Sequence, residues 1–276
     1  PNEPRALARA DLDVCSDTES ASTIVQAEQA IFTSLRGPMG EGYRLVAMSP
    51  GITAEERAEI TRRSPSHDSI CDSDATAHAL ASYDLASCRH CVAWSRYAGK
   101  EHTARGGNRV HTHLVVLEND AWRTFACNPF CVQSALAEVI GPTPNVKPAL
   151  CLPLLDLPVD LAGASDAGEV PHDLLGRACQ FARVIMDHAA DKTTMIATMA
   201  DPPLHVLCWA LAVLPLAYRQ KLDCSGNLHY ATSRDLRLTC LNAITVDTQR
   251  SIQGRDVRVL NLETESTAAV SPFAGW

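Results

Sequence analysis

With 276 residues, of which 46% are hydrophobic and 20% charged, the chain can bury the core of one large domain or two small ones, which excludes a disordered protein. The formal net charge of −8 argues against broad, sequence-independent nucleic acid binding, because such binding needs a basic surface. The 11 cysteines are irregularly spaced, unlike a secreted disulfide framework, so we expect reduced thiols and a cytoplasmic location. We find no apolar run of about 18 residues and expect no membrane segment.

The first half of the chain has the pattern of strands interrupted by two capped helices. Thr53 and Glu56 have the spacing of a capping box, so a helix should begin there and end before Pro65. Asn128 followed by Pro129 predicts the start of a second helix, which should run to about residue 139. The strands predicted from apolar runs and turn residues are 30–35, 43–48, 79–83, 91–97, 109–117 and 149–155.

The second half mixes both kinds of element. We predict helices over residues 172–189 and 203–214, and the latter is apolar on nearly all sides, so it should be buried between layers. The predicted strands are 193–199, 221–224, 236–241 and 257–262. These patterns predict an α+β protein with mixed sheets, flanking helices and two sub-domains. The predicted divisions are a mobile leader (1–23), a sheet-and-helix domain (24–156), a linker (157–170) and a second mixed domain (171–276).

A glycine pair between two arginines precedes the predicted strand at residues 109–117. The adjacent glycines allow positive φ and close backbone approach, and the arginines keep their charge and bind carboxylates or phosphates with a planar fork. We interpret this segment as a loop that binds a protein partner or an anionic ligand. Two alternatives are that the arginines bridge local carboxylates and fix a tight turn, or that one approaches the nucleotide of a partner. The candidate residues are His102, Arg105, Gly106, Gly107, Asn108 and Arg109.

Five short sequence segments follow one another in a characteristic order along the chain. They are residues 31–34, 42–52, 105–117, 128–130 and 212–222. In this order they resemble the N-terminal and middle regions of the bacterial GTPase-associated adaptor family, which is found in NTP-dependent conflict systems. The resemblance implies a non-catalytic adaptor or regulator with a GTPase or effector protein as partner in trans, and it carries no catalytic residue.

Metal and thiol chemistry form the main alternative. A Cys-x-x-Cys pair, a Cys-x-x-x-Cys pair and two histidines on one strand face are suitable ligands for zinc. The first cysteine pair would converge only at a turn, since alternate strand residues face opposite sides. Cys127 precedes a predicted helix start, where a thiolate is favoured, and would need one of the histidines as its base. The residues of this zinc-dependent or cysteine-dependent hydrolase alternative are Cys88, Cys91, Cys127, Cys131, His111 and His113.

The motifs that usually accompany nucleotide binding or acyl transfer are missing from the sequence. There is no Gly-x-x-x-x-Gly-Lys-Ser/Thr phosphate-binding loop and no Gly-x-Ser-x-Gly nucleophile elbow. We therefore expect no bound cofactor and favour a role without catalysis over an enzyme. A structural module of a larger assembly, with the arginine loop as a scaffold turn, is the third alternative.

Overall fold

A ten-stranded mixed sheet forms the centre of the computed structural model, which describes residues 23–37, 40–101, 106–141, 150–159, 172–188 and 193–262. The strands are β1 (Ile24–Gly37), β2 (Gly40–Met48), β3 (His78–Asp84), β4 (His90–Lys100), β5 (Asn108–Leu117), β6 (Leu155–Pro158), β7 (Thr194–Thr198), β8 (Cys224–Gly226), β9 (Leu238–Leu241) and β10 (Val257–Asn261). The helices are α1 (Ala54–Arg63), α2 (Asn119–Thr124), α3 (Pro129–Ile140), α4 (His172–His188), α5 (Pro203–Val213), α6 (Leu216–Arg219) and α7 (Val246–Ile252). This combination confirms the predicted α+β class.

The sheet joins an antiparallel half to a parallel half. The strand order is β10-β7-β9-β8-β3-β4-β5-β1-β2, and β6 pairs with the first residues of β1. Strands β3, β4, β5, β1 and β2 pair in antiparallel fashion, whereas β8, β9, β7 and β10 are parallel. The halves meet where β8 pairs with β3 and Gly226 lies opposite Leu80. Strands from both predicted domains thus share one sheet, and the division of the chain at residues 157–170 stays a prediction.

Apolar side chains cover both faces of the antiparallel half. Helices α2 and α3 lie over one face, where Trp122 and Phe125 are fully buried. Helix α1 lies over the other face, where Ile60 and Tyr83 belong to one buried cluster. Around the parallel strands, α4 and α5 form a third cluster. Eight of the eleven residues of α5 are buried, which confirms the burial predicted for the apolar helix.

Two predicted strands differ from the structure. Within the described residues, the strand expected at 149–155 is present only as an isolated parallel bridge between Cys151 and Met48 and as the first residue of β6, Leu155. Between them the Pro153 carbonyl accepts hydrogen bonds from the Gln29 and Ser49 side chains, not from a neighbouring strand. Residues 142–149 lie outside the described part, as do residues 1–22 of the predicted leader. The strand expected at 221–224 begins only at Cys224, because the N–H groups of Lys221 and Leu222 close the turn after α6.

The other predicted elements agree with the structure to within a few residues, apart from β1, which begins six residues before its predicted strand. The short helices α2, α6 and α7 were not predicted, since four to seven residues show too little of a helical period. Strand β6 includes Leu157 and Pro158, the first two residues of the predicted linker. No helix in the described ranges is long and apolar enough to span a membrane.

A buried carboxylate ties α1 to the turn between β3 and β4. The Glu56 N–H donates to the Thr53 hydroxyl and Glu56 Oε2 accepts from the Thr53 N–H, which confirms the capping box. Glu56 Oε1 also accepts from Ser87 Oγ at 2.5 Å and from Arg89 Nε at 2.7 Å. Burial alone would raise the pKa of Glu56, but these hydrogen bonds outweigh it and lower the pKa from 4.5 to about 2.

We expect Glu56→Gln to lower the free energy of unfolding at pH 7 by about 2–3 kcal/mol, because Arg89, whose side chain is only 13% exposed, loses its principal carboxylate. The folded pKa lies below the unfolded one, so this stabilisation is present above pH 4.5 and is lost as the pH falls from 4.5 towards 2. Urea unfolding at pH 7 and pH 3 should therefore show a gap between wild type and variant that shrinks at pH 3.

Glu55→Gln is the matched control, since Glu55 is exposed in the same turn of α1. We expect it to change the free energy of unfolding by less than about 0.5 kcal/mol at either pH. Equal losses for the two variants would mean that the network around Glu56 does not stabilise the fold.

Candidate functional site

The glycine pair lies at the tip of the β4–β5 hairpin. Gly106 and Gly107 have φ values of 72° and 81°, a region that other residues enter at a cost, so the predicted positive-φ turn is confirmed. Both glycines are exposed, and the Glu101 N–H donates to the Gly107 carbonyl at 3.1 Å. Two candidate residues of the same loop, His102 and Arg105, lie outside the described residues.

Gly107 also lies against the loop that follows α1. A Cβ atom at Gly107 would be 2.8 Å from His67 Cε1 and 3.2 Å from Asp68 Oδ1, whereas a Cβ at Gly106 would meet no atom within 4 Å. His67 Nε2 and Asp68 Oδ2 are 2.8 Å apart. The close backbone approach expected from the sequence is thus present at Gly107, and an acidic side chain lies beside the turn.

The buried side chain of Arg109 stabilises the hairpin through hydrogen bonds to its backbone. Its side chain is 8% exposed, and its Nε donates to the Ala98 carbonyl at 3.1 Å, with a second hydrogen bond from its terminal nitrogen. Ala98 lies at the irregular point of the ladder, beyond which Lys100 pairs with Asn108. This arrangement agrees with the tight-turn alternative for Arg109, and contact of Arg109 with a partner stays a prediction.

A buried carboxylate joins three strands below the turn. Glu101 is 9% exposed, and its Oε1 accepts from Ser34 Oγ at 2.8 Å. The Tyr43 hydroxyl accepts from the Val110 N–H at 3.0 Å. Burial raises the pKa of Tyr43, and the neighbouring Glu101 adds to this rise, so the phenol stays protonated. The network fixes the base of the hairpin tip to β1 and β2.

His111 and His113 share one face of β5, as predicted. They lie opposite Arg96 and Trp94 of β4, and Arg96 Cζ is 3.9 Å from the centre of the Trp94 ring. Burial, then the charges of His111 and Arg96, lower the pKa of His113 to about 3 and keep it neutral. His113 Nε2 lies 2.8 Å from Gln29 Oε1, which is the acceptor because the Gln29 nitrogen donates to a backbone carbonyl. This contact holds β5 to β1, in agreement with a structural role.

The six residues of the hydrolase alternative do not form one site. Cys88 is exposed in the β3–β4 turn, while Cys91 is buried on one face of the sheet and Cys127 and Cys131 on the other. Among the described residues, no group of three or more His, Cys, Asp or Glu side chains is arranged to hold a metal ion. Burial raises the pKa of Cys127, so the thiolate expected at the start of α3 is not favoured.

A hydrogen-bonded serine, histidine and aspartate on the β3–β4 hairpin were missed by the sequence analysis. Ser82 Oγ lies 2.7 Å from His90 Nε2, and His90 Nδ1 lies 2.8 Å from Asp84 Oδ1, which is the connectivity of a hydrolase triad. The exposure is reversed, since Ser82 is 1% exposed and the Asp84 side chain 54%. His90 stacks on Trp122 at 3.9 Å. We therefore interpret these residues as a structural part of the hairpin. In the sequence, only the spacing of Ser82 and Asp84, which places both side chains on the same face of a strand, could have indicated the contact.

A second contact that the sequence did not indicate joins the loop after α1 to the C-terminal half. Cys71 Sγ lies 3.7 Å from His229 Nδ1. Burial raises the pKa of Cys71 to about 12 and lowers the pKa of His229, so near neutral pH the Cys71 side chain is a protonated thiol beside a neutral imidazole. Arg234 donates to Ser69 Oγ at 3.0 Å and to the His229 carbonyl. These contacts anchor the loop that presents His67 to Gly107, and no spacing in the sequence indicates them.

We expect Gly107→Ala to lower the free energy of unfolding more than Gly106→Ala. Both positions have positive φ, which costs alanine about 1–2 kcal/mol, but only position 107 adds a steric contact with His67. Urea unfolding of both variants measures the difference. His67→Ala combined with Gly107→Ala should remove that difference, and equal losses for the two glycine variants would contradict the close approach.

Thiol accessibility gives a direct test of the cysteine-dependent alternative. In the native protein, iodoacetamide should modify the exposed Cys88 rapidly and the buried Cys91 and Cys127 only after unfolding. Peptide mass spectrometry over time measures each rate. Fast modification of native Cys127 would show an accessible, ionised thiol and would return the cysteine-dependent hydrolase to consideration.

Comparison with known proteins found one similar domain, and the match includes the β4–β5 hairpin. Residues 26–133 match the model of GTPase-associated protein 1, N-terminal domain type 2, and this range includes the glycine–arginine loop. Neither the curated proteins nor the solved structures gave a significant match. Residues 26–133 are thus similar to the N-terminal domain, type 2, of GTPase-associated protein 1, in agreement with the resemblance to a GTPase-associated family that the sequence segments indicated.

Proposed function

We propose that the chain is a non-catalytic adaptor or regulator that couples a GTPase or effector protein in trans, within a bacterial conflict or defence-like system. The observation that carries this proposal is the match of residues 26–133 to a domain of a GTPase-associated protein. The sequence has no phosphate-binding loop of its own, so the partner would bind the nucleotide. We place this function in the cytoplasm and, given the net charge of −8, expect no direct nucleic acid partner.

The tip of the β4–β5 hairpin is the surface that we assign to the partner. Lys100, Gly106 and Gly107 are exposed there, and Arg105 precedes Gly106 in the chain. Glu101 and Arg109 hold this turn from inside through hydrogen bonds to strand residues. A turn whose backbone is held before binding loses less conformational freedom when a partner binds. A carboxylate on the partner would form charge-assisted hydrogen bonds with the basic side chains of Lys100 and Arg105.

The two arginines receive different roles in this proposal. Arg109 is buried and donates two hydrogen bonds to the Ala98 carbonyl, so it supports the shape of the turn. Arg105 is assigned to the partner. A double substitution of both would therefore mix a loss of contact with a change in the hairpin, and single variants are needed.

We expect Arg105→Ala to weaken binding of the GTPase or effector by about fivefold or more, the effect of losing one charged contact worth about 1 kcal/mol, with an unchanged free energy of unfolding. Affinity capture from the native host identifies the partner, and titration with the purified partner then gives the dissociation constant. Arg57→Ala, on the exposed side of α1, is the matched control and should bind as wild type does.

Arg109→Ala serves as the internal comparison. It should lower the free energy of unfolding by about 1–2 kcal/mol, because the Ala98 carbonyl loses its donors. Normal partner binding by Arg105→Ala would contradict the assigned surface. Capture of neither a GTPase nor an effector by the wild type would favour the structural-module alternative.

A further inference from the structure

A cavity of about 400 Å³ lies in the C-terminal half, outside the family-matched residues. It opens between the end of α4, helix α6 and the starts of β7 and β9. Ile185, Met195 and Leu222 form an apolar floor, and Tyr218, Lys221 and Arg237 stand around it. Small-molecule sites commonly have volumes of about 300–1,000 Å³ with mainly apolar walls and a few polar groups, so the cavity has the size and lining of such a site.

The floor is already shaped by packing of the parallel half. Ile185 is 2% exposed and Met195 is 5% exposed, and both belong to the third core cluster. Met195 is fixed on β7 between two parallel neighbours, β9 and β10. An apolar group that enters the cavity therefore meets side chains held by the core and removes further apolar surface from water.

The charged groups of the cavity are all basic among the described residues. Lys221 and Arg237 are exposed, and neither forms an ion pair within the described part of the chain. His188 also lines the cavity and contacts Arg258. The whole chain has a net charge of −8, whereas the described residues that line the cavity include basic side chains and no carboxylate. The charge of the cavity is therefore opposite in sign to that of the protein as a whole.

We propose that this cavity binds a small organic anion, with the apolar body on the floor and the carboxylate or phosphate group between Lys221 and Arg237. The guanidinium of Arg237 offers a planar pair of donors and the ammonium of Lys221 a point charge, and both suit these anions. The site is independent of the hairpin surface and goes beyond the adaptor role, since it adds a small-molecule ligand.

Calorimetric titration with octanoate, octyl phosphate and the neutral 1-octanol tests the proposal on the full chain. At least one anion should bind saturably at one site per chain and at least tenfold more tightly than octanol. Lys221→Gln and Arg237→Gln should each weaken that binding about fivefold or more. Ala217 also lines the cavity, so Ala217→Trp should abolish binding by filling it. Arg57→Gln, which removes an exposed arginine on α1, should leave binding unchanged.

The relative affinities of the two anions identify the head group. Tighter octanoate binding points to carboxylates and tighter octyl phosphate binding to phosphate esters, and both support the site. Absence of binding by either anion, equal binding of octanol, or equal weakening by Arg57→Gln and Lys221→Gln would overturn the proposal. Lys221 and Arg237 are exposed, so their variants should fold even where Ala217→Trp does not, and an unfolding curve checks each one.

Discussion

The pairing of β8 with β3 is the contact on which the rest of the structure depends. It joins the antiparallel half to the parallel half, with Gly226 opposite Leu80. A Cβ at Gly226 would lie 2.8 Å from Leu204 Cδ2, so α5 can lie directly over this junction because the strand has a glycine there. Leu204 belongs to the core of the antiparallel half and Leu207 to that of the parallel half, so α5 contributes to both.

The position of the hairpin tip follows from this arrangement. Strands β4 and β5 lie in the interior of the sheet, between β3 and β1, and are hydrogen-bonded on both sides. The tip therefore extends from a part of the fold that cannot shift without breaking several ladders. The Glu101 network below it and the His67 contact beside it add restraints from β1, β2 and the loop after α1. The exposed glycines present a backbone whose shape is set by buried neighbours.

Features that depend on neighbouring residues could be predicted from the sequence, and features that depend on distant ones could not. The capping box of Thr53 and Glu56 lies within four residues, so its pattern was sufficient. The positive φ of Gly107 was likewise local, but its contact with His67 joins segments 40 positions apart. Arg109 illustrates the same limit, because an arginine beside a turn has the same sequence pattern whether its guanidinium faces a partner or the Ala98 carbonyl.

Binding of a partner at the hairpin tip and of a ligand in the cavity can influence each other only if both favour the same one of two states of the fold. The sheet connects the two places through β7, β9, β8, β3 and β4, in that order. A ligand in the cavity can alter the hairpin only if it binds one arrangement of these strands more tightly than another. The ladder itself resists a change of register, because a slip of one residue reverses every side chain. Helix α5 contributes to the cores of both halves and lies over Gly226, so a change in its packing on β8 would affect both halves at once.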